Sequence, residues 1–244
     1  MKIVDINCDL GEEIGNDALL MPYITSANIA CGFHAGTYEK MEETLLLAKK
    51  YGVHAGAHPS YYDRANFGRR EMDLTPNKIF ELITAQLNIL SPIARKHDIL
   101  LHHVKPHGAL YNTAAKDPDV ARAIAMAVKA FDPSLYLYGL SGSFLIREGK
   151  KMGLQTKSET FADRTYQDDG SLTPRSMPGA LITDTNKVIA QVLQLINSNS
   201  VTTMSGKTIP VVAETICIHG DGEHAVDFAK AIFNALQKEN DSAS

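Results

Sequence analysis

The chain has 244 residues, a 44% hydrophobic fraction and a formal net charge of −4, which suits one sizeable α/β domain. Lys and Arg are scattered without a basic stripe, and no apolar run is long enough to span a bilayer, so neither nucleic acid nor a membrane is an expected partner. The N-terminal MKIVDINCD lacks an apolar signal-peptide core, and Cys8, Cys31 and Cys217 lie apart in apolar runs without C-x-x-C spacing; a soluble, cytoplasmic protein with reduced core thiols is expected.

In chain order, IVDINCD reads as a strand, and NIACGF as a second after the MPYITSA connection. Tyr38 to Tyr51 has helical spacing through Met41, Leu45 and Ala48, and Gly52 stops it. VHAGAH is the next strand. Thr75 and Pro76 form a helix start, with a helix running to about Lys96. LLHHVKPH is a strand, and Asp117-Pro118 opens a helix carrying Val120, Ile124 and Val128 on one face. LYLYGL, a short helix from Phe144 to Met152, and the strand LQTKSET follow. The stretch Phe161 to Gly179 is irregular. Asn186 to Ile196 is helical, VTTMSGKTIPVV is a hairpin around Ser205-Gly206, TICIHG is the last strand, and His224 to Leu236 the last helix. The polar tail KENDSAS is expected to fray.

Repeated strand-then-helix units, about seven of them, predict a parallel sheet with right-handed crossovers and suggest an irregular seven-stranded β/α barrel, TIM-like, with an open doubly wound sheet as the alternative.

Polar residues recur at alternate positions along the apolar runs. Asp5, Asn7 and Asp9 share one run; Asn28 and His34, His54 and His58, His103, Lys105 and His107, and Thr215, Cys217 and His219 occupy others, with Asp221 just beyond. Residues two apart in a strand face one side, so each run projects its ionisable groups one way and its aliphatic groups the other. Convergence of several strand ends on one polar site explains a pattern that a structural strand face does not. Gly32, Gly36, Gly56 and Gly108 stand beside these residues, where close approach to backbone is useful. His102 has the opposite parity and should face away, and His97 and His224 sit at helix termini, where they are expected to be solvated.

Several chemistries are set aside. Ser205-Gly206-Lys207-Thr208 resembles the end of a P-loop, but position 201 is Val201 rather than glycine and no helix follows. Gly139 to Ser143 approximates a nucleophile elbow but ends in serine, and reads better as a strand-to-helix turn. There is no G-x-G-x-x-G fingerprint. Carboxylates with imidazoles remain. Asp9, His34 and His58 suit a divalent metal, and equally suit acid–base and anchoring roles without one. Lys105 and Arg164 suit a substrate carboxylate, an oxyanion or a phosphate, the bland reading of Arg164 being a surface salt bridge with Asp163.

The motifs DINCDLGE, SANIACGFHAG, GAHPSYYDRANFGRR, VKPHGALYN, ETFADRTY and ICIHGD, in this order, resemble the LamB/YcsF family over nearly the whole chain. Thr37, Ser60, Asn66 and the HGDGEHA continuation depart from its pattern in loops. The resemblance implies ATP-dependent opening of the lactam of 5-oxo-L-proline to L-glutamate, with ATP and Mg2+ as co-substrate, by a complex in which this chain works with two other 5-oxoprolinase subunits, B and C. It also implies a barrel similar to the glycoside hydrolase/deacetylase type, in which an Asp and two His commonly hold a metal. Asp9, His58, Lys105 and His107 are then the catalytic candidates; Asn7, Asn28, His34, Asp163, Arg164, His219 and Asp221 are the substrate-binding candidates; Asp9, His34 and His58 are the candidate metal ligands. A lone metal-dependent deacetylase or amidohydrolase, and a non-catalytic carboxylate-binding module, are the competing readings. Substitutions at Asp9, His58 and Lys105 are expected to spare stability. The segment Phe161 to Gly179 is the expected docking face, with Tyr166 to Thr173 dispensable for folding.

Overall fold

The computed structural model, which describes residues 4–222 and 224–242, alternates strands and helices along its length. In order these are β1 (Asp5–Leu10), a short α1 (Asp17–Leu20), β2 (Ser26–Ala30), α2 (Tyr38–Tyr51), β3 (His54–His58), α3 (Pro76–Lys96), β4 (His103–Val104), α4 (Gly108–Lys116), α5 (Pro118–Phe131), β5 (Tyr136–Leu140), α6 (Phe144–Lys151), β6 (Thr156–Phe161), α7 (Thr185–Ser198), β7 (Ser200–Thr202), β8 (Thr208–Pro210), β9 (Thr215–Ile218) and α8 (Ala225–Ser242). Seven strands pair in parallel and close a barrel in the order β1-β2-β3-β4-β5-β6-β9; β7 and β8 form a separate antiparallel pair. The β/α barrel expected from the repeating units is therefore present, and it is closed.

The strands divide their faces by chemistry. Ile6, Cys8 and Leu10 of β1 join the apolar core, together with Ile29, Leu45, Ile83, Leu87 and Ile124. Asn7, on the other face, donates across the barrel to Glu159 at 2.9 Å and Thr215 at 2.7 Å. The barrel interior is thus filled by a hydrogen-bonded polar stack, which satisfies groups that burial would otherwise penalise. Neighbouring strands must leave room for it. Gly56 shows this: a Cβ there would lie 2.2 Å from the His103 ring, which crosses over it to reach Asn28 Oδ1 at 2.7 Å.

Helix starts and stops follow the local signals. Thr37, Thr75 and Asp117 cap α2, α3 and α5, Pro76 and Pro118 occupy first-turn positions, and Gly52 ends α2 in the left-handed region at φ +69°. The hairpin at Ser205-Gly206 and the strand-to-helix turn before α6 are as expected; Lys207 pairs with Asp168 at 2.7 Å, and Ser143 caps α6.

Other expectations need correction. LLHHVKPH forms a strand ladder only at His103–Val104; beyond it Lys105 N and His107 N still donate to the carbonyls of Ala57 and Pro59, and Pro106 between them has no hydrogen to give; Gly108, at φ +56°, then opens α4, a helix outside the expected elements. The second strand begins at Ser26 and ends at Ala30, before the turn at Gly32. Asp5 and His54 lie at the far end of the barrel from the other polar residues: Asp5 is held by Thr25, Ser26 and Tyr138, and exposed His54 stacks on His102. His97 is not simply solvated, since Nε2 contacts Glu42 Oε1 at 2.6 Å. Helix α8 continues to Ser242, through most of the tail expected to fray, while Ile3 of the first run and the last two residues lie outside the described residues. The segment 166–173 is not dispensable: Tyr166 is fully buried, its hydroxyl accepts from Phe161 N at 2.7 Å, and the Thr173 carbonyl accepts from Arg164 Nη2 at 2.6 Å.

Candidate active site

A cleft of about 750 Å³ opens at the C-terminal end of the barrel strands. Asp9, His58, Lys105, His107, Arg164, His219 and Asp221 line it, so these strand-end residues do converge. Asn7, Asn28, His34 and Asp163 stand behind this lining and act on it through their bonds. Asn28 Nδ2 donates to Asn7 Oδ1 at 2.7 Å and to Asp9 Oδ1 at 2.8 Å.

Lys105 is the hub. Its ammonium lies 2.9 Å from Asp9 Oδ1, 2.9 Å from Glu159 Oε1, 3.1 Å from Asn7 Oδ1 and 3.0 Å from Cys217 Sγ. Burial disfavours its charge, but Asp9, Cys217 and Glu159 outweigh that and raise its pKa well above the ordinary lysine value. For Asp9, burial pushes the carboxyl up, but its neighbours His58 and Lys105 overcome it and hold it well below its usual range. Lys105 therefore sits as a fixed ammonium with its hydrogens engaged by the protein.

His219 is oriented from β9 by Asp163. Nδ1 lies 2.9 Å and 3.0 Å from the two carboxylate oxygens, the backbone N–H of His219 donates to the same group at 3.3 Å, and Phe161 stacks on the ring. Burial raises the Asp163 carboxyl, but His219 and its hydrogen bonds bring it below its usual value. The carboxylate accepts, so Nδ1 carries the hydrogen and Nε2 presents a lone pair. The salt bridge between Asp163 and Arg164 that their adjacency suggests is replaced by this pairing. Arg164 instead donates to the carbonyls of Ala180 and Thr173, and burial first, then Arg175, lowers its pKa to about 10.

Glu12, His34, His58 and His107 form a buried cluster whose ligand atoms all lie within 4.8 Å of one another, a donor set that fits a metal ion. Asp9 is beside it, with Oδ2 at 3.4 Å from His58 Nε2, but outside the set. Of the predicted trio Asp9, His34 and His58, the two histidines fall in this cluster together with Glu12 and His107.

Sequence reasoning missed Glu12, Arg69, Tyr111 and Glu159. Glu12 follows the chain reversal at Gly11, φ +72°, where strand parity no longer applies. Glu159 obeys the alternation in SETF and could have been found by it. Arg69 pairs with Asp221 across the cleft and lies over the Phe67 ring at 4.9 Å, a contact between distant loops.

Residues 4–243 match the LamB/YcsF family. The chain belongs to this family. Its relatives include the A subunit of 5-oxoprolinase from Brevibacillus brevis, 50% identical over 241 residues, with 97% of this chain and 95% of that protein covered. The protein of the same name from Shouchella clausii is 52% identical over 243 residues, covering 98% of this chain and 96% of that one. The crystal structure of the lactam utilization protein from Thermus thermophilus superposes with a TM-score of 0.91 at 42% identity, covering 98% of each chain. In this LamB/YcsF chain the cleft, the His/Glu cluster and the Asp163–His219 pair all belong to one end of the barrel. No described helix is long and apolar enough to cross a membrane.

Proposed function

We propose that this chain is one subunit of a 5-oxoprolinase: it opens the lactam of 5-oxo-L-proline to L-glutamate in the cytoplasm, with ATP and Mg2+ as co-substrate and two further subunits, B and C, as partners. Near full-length similarity to proteins bearing that name supports the reading. The observation that carries it on this chain is the Asp163–His219 pair beside the Lys105–Asp9 ion pair, an oriented base next to a fixed charge in one cleft.

An unstrained five-membered lactam is hydrolysed near thermodynamic balance, so coupling to ATP gives the reaction direction. In the proposed path the amide oxygen takes the γ-phosphoryl group and ADP leaves. Water then adds to the activated carbon, losing a proton to His219 Nε2. The C–N bond breaks as the nitrogen takes a proton, and hydrolysis of the resulting acyl phosphate releases glutamate and phosphate. Asp163 keeps the His219 hydrogen on Nδ1 and stabilises the imidazolium. Lys105 contributes a preorganised positive field. Arg164 and Arg175, on the cleft wall, suit the ring carboxylate and the phosphoryl oxygens. Among the described residues Lys207 of the SGKT segment is tied to Asp168 in a hairpin, so nucleotide binding through a P-loop is not part of this reading.

A second reading, a metal-dependent amidohydrolase acting alone, is favoured by the Glu12, His34, His58 and His107 cluster. Glutamate release from 5-oxoproline separates the two. The first reading requires both ATP and the partner subunits for turnover. Release by the purified chain without ATP supports the second and overturns the first.

A further inference from the structure

We propose that Glu12, His34, His58 and His107 bind one divalent transition-metal ion, of the zinc, cobalt or nickel class rather than magnesium. The proposal goes beyond the functional reading, because it stands whichever amide the cleft accepts.

The partners of each ring fix where the imidazole hydrogens lie. His58 Nδ1 lies 2.7 Å from the Lys105 carbonyl, which only accepts, so Nδ1 carries the hydrogen and Nε2 is a lone pair. His107 Nε2 lies 2.9 Å from the Phe67 carbonyl, so its lone pair is on Nδ1. His34 Nδ1 lies 2.9 Å from Ser60 Oγ, whose single hydrogen goes to the Tyr61 carbonyl at 2.9 Å. Ser60 therefore accepts, and the His34 lone pair is on Nε2.

These three lone pairs meet. His107 Nδ1 is 2.9 Å from His58 Nε2. Glu12 Oε1 is 3.1 Å from His34 Nε2, 3.4 Å from His107 Nδ1 and 3.9 Å from His58 Nε2. With the three imidazoles neutral, four acceptors face one another with no donor among them, Asp9 Oδ2 lies a further 3.4 Å from His58 Nε2, and all four residues are buried. Such an arrangement repels itself unless a cation or protons fill it.

Protons fill it only in part. A proton on Glu12 serves its contact with His34 at 3.1 Å. The lone pairs of His58 and His107 still face each other at 2.9 Å. One ion serves all four atoms. Donors held about 2 Å from a common ion lie about 3 to 3.4 Å apart in tetrahedral or octahedral spheres. Three imidazoles and one carboxylate suit a borderline ion, not magnesium with its preference for oxygen and water. The carbonyls of Lys105 and Phe67, and Ser60, supply the outer hydrogen bonds that metal-bound histidines use. Glu12, His58 and His107 line the cleft, so the ion has an entry path and an open side.

A rival donor set, Asp9, Cys217 and His219, is less suited. The Lys105 ammonium already donates to Cys217 Sγ and Asp9 Oδ1, and a second cation would displace it.

The test is cobalt titration of the chelator-stripped chain, followed by visible absorption, with zinc content after dialysis read by elemental analysis. One Co2+ per chain is expected, with d–d bands of nitrogen/oxygen coordination, no sulfur-to-cobalt charge-transfer band, and no displacement by millimolar Mg2+. Glu12→Gln and His107→Ala should each weaken cobalt binding by at least about tenfold. A folded wild-type chain that takes up no stoichiometric ion overturns the proposal without reference to any variant. So does a strong thiolate band, displacement by magnesium, or folded variants that bind cobalt as tightly as wild type.

Discussion

His219 points its Nδ1 hydrogen into the Asp163 carboxylate at 2.9 Å, which leaves Nε2 as the acceptor of a ring that lines the cleft. Two loops beyond neighbouring strands, β6 and β9, supply the pair, so the barrel itself sets its geometry. An imidazole fixed in one tautomer by a buried carboxylate is equipped to take a proton from water and pass it on.

Asp163→Asn removes the charge and the constraint on the tautomer. Its kcat for glutamate release in the assembled enzyme should fall by about 10²- to 10⁴-fold, with KM changed far less. The thermal transition should stay near wild type. Near-normal kcat in a folded Asp163→Asn enzyme would remove His219 from the proposed path.

Lys105→Met should be destabilising, contrary to the expectation that strand-end substitutions spare the fold. The ammonium neutralises Asp9 and Glu159, both buried, and its loss leaves two carboxylates without their cation. Breaking a buried pair in this way costs about 3–5 kcal/mol. Urea unfolding of Lys105→Met against wild type measures it. A midpoint unchanged at equal m-value would show that the carboxylates find other partners.

Asp5 predicts a defined acid sensitivity. Burial raises its carboxyl, but Thr25, Lys157 and Ser26 together bring it from 3.8 to about 2. Because the folded value is depressed, the stabilisation is present above about pH 4 and is lost as pH falls through about 2, and its size is about 2 kcal/mol. Plotting urea midpoints against pH should show a smaller loss between pH 4 and 2 in Asp5→Asn than in wild type. Parallel curves for the two proteins between pH 4 and 2 would count against it.

Gly56→Ala should destabilise the barrel although alanine is a modest change. The added carbon would lie 2.2 Å from the His103 ring, itself fully buried and bonded to Asn28. Overpacking of this kind costs about 1–3 kcal/mol. A fall of several degrees in Tm is the expected reading, and a Tm equal to wild type would mean that His103 moves aside freely.

Docking of partner subunits is better tested at the surface than by deleting 166–173, which contains buried Tyr166 and Thr173. Met177, Leu181 and Met204 are 46%, 47% and 47% exposed, and the Met204 side chain packs beside Gly179. Met177→Asp with Met204→Asp should weaken association of the subunits while leaving Tm near wild type. Unchanged affinity in a pull-down titration would move the docking face elsewhere.

The amino-acid order alone pointed to the barrel and to seven residues of the cleft lining. Strand alternation is a local property, so Asp9, His58, Lys105 and His219 could be assigned to one side of their runs before any fold was known. Helix caps such as Thr37, Thr75 and Asp117 are local as well. Depth within the barrel is different. Asp5, Asn7 and Asp9 have identical parity, yet they sit at the far end, in the middle and at the mouth, because register against β2 and β9 decides the level of each. Partner choice is also tertiary. Asp163 lies next to Arg164 in sequence but bonds to His219, fifty-six positions away, because the ends of β6 and β9 are neighbours. Glu12 meets His34, His58 and His107 only where three loops fold over the same strand ends, and no spacing in the chain encodes that meeting.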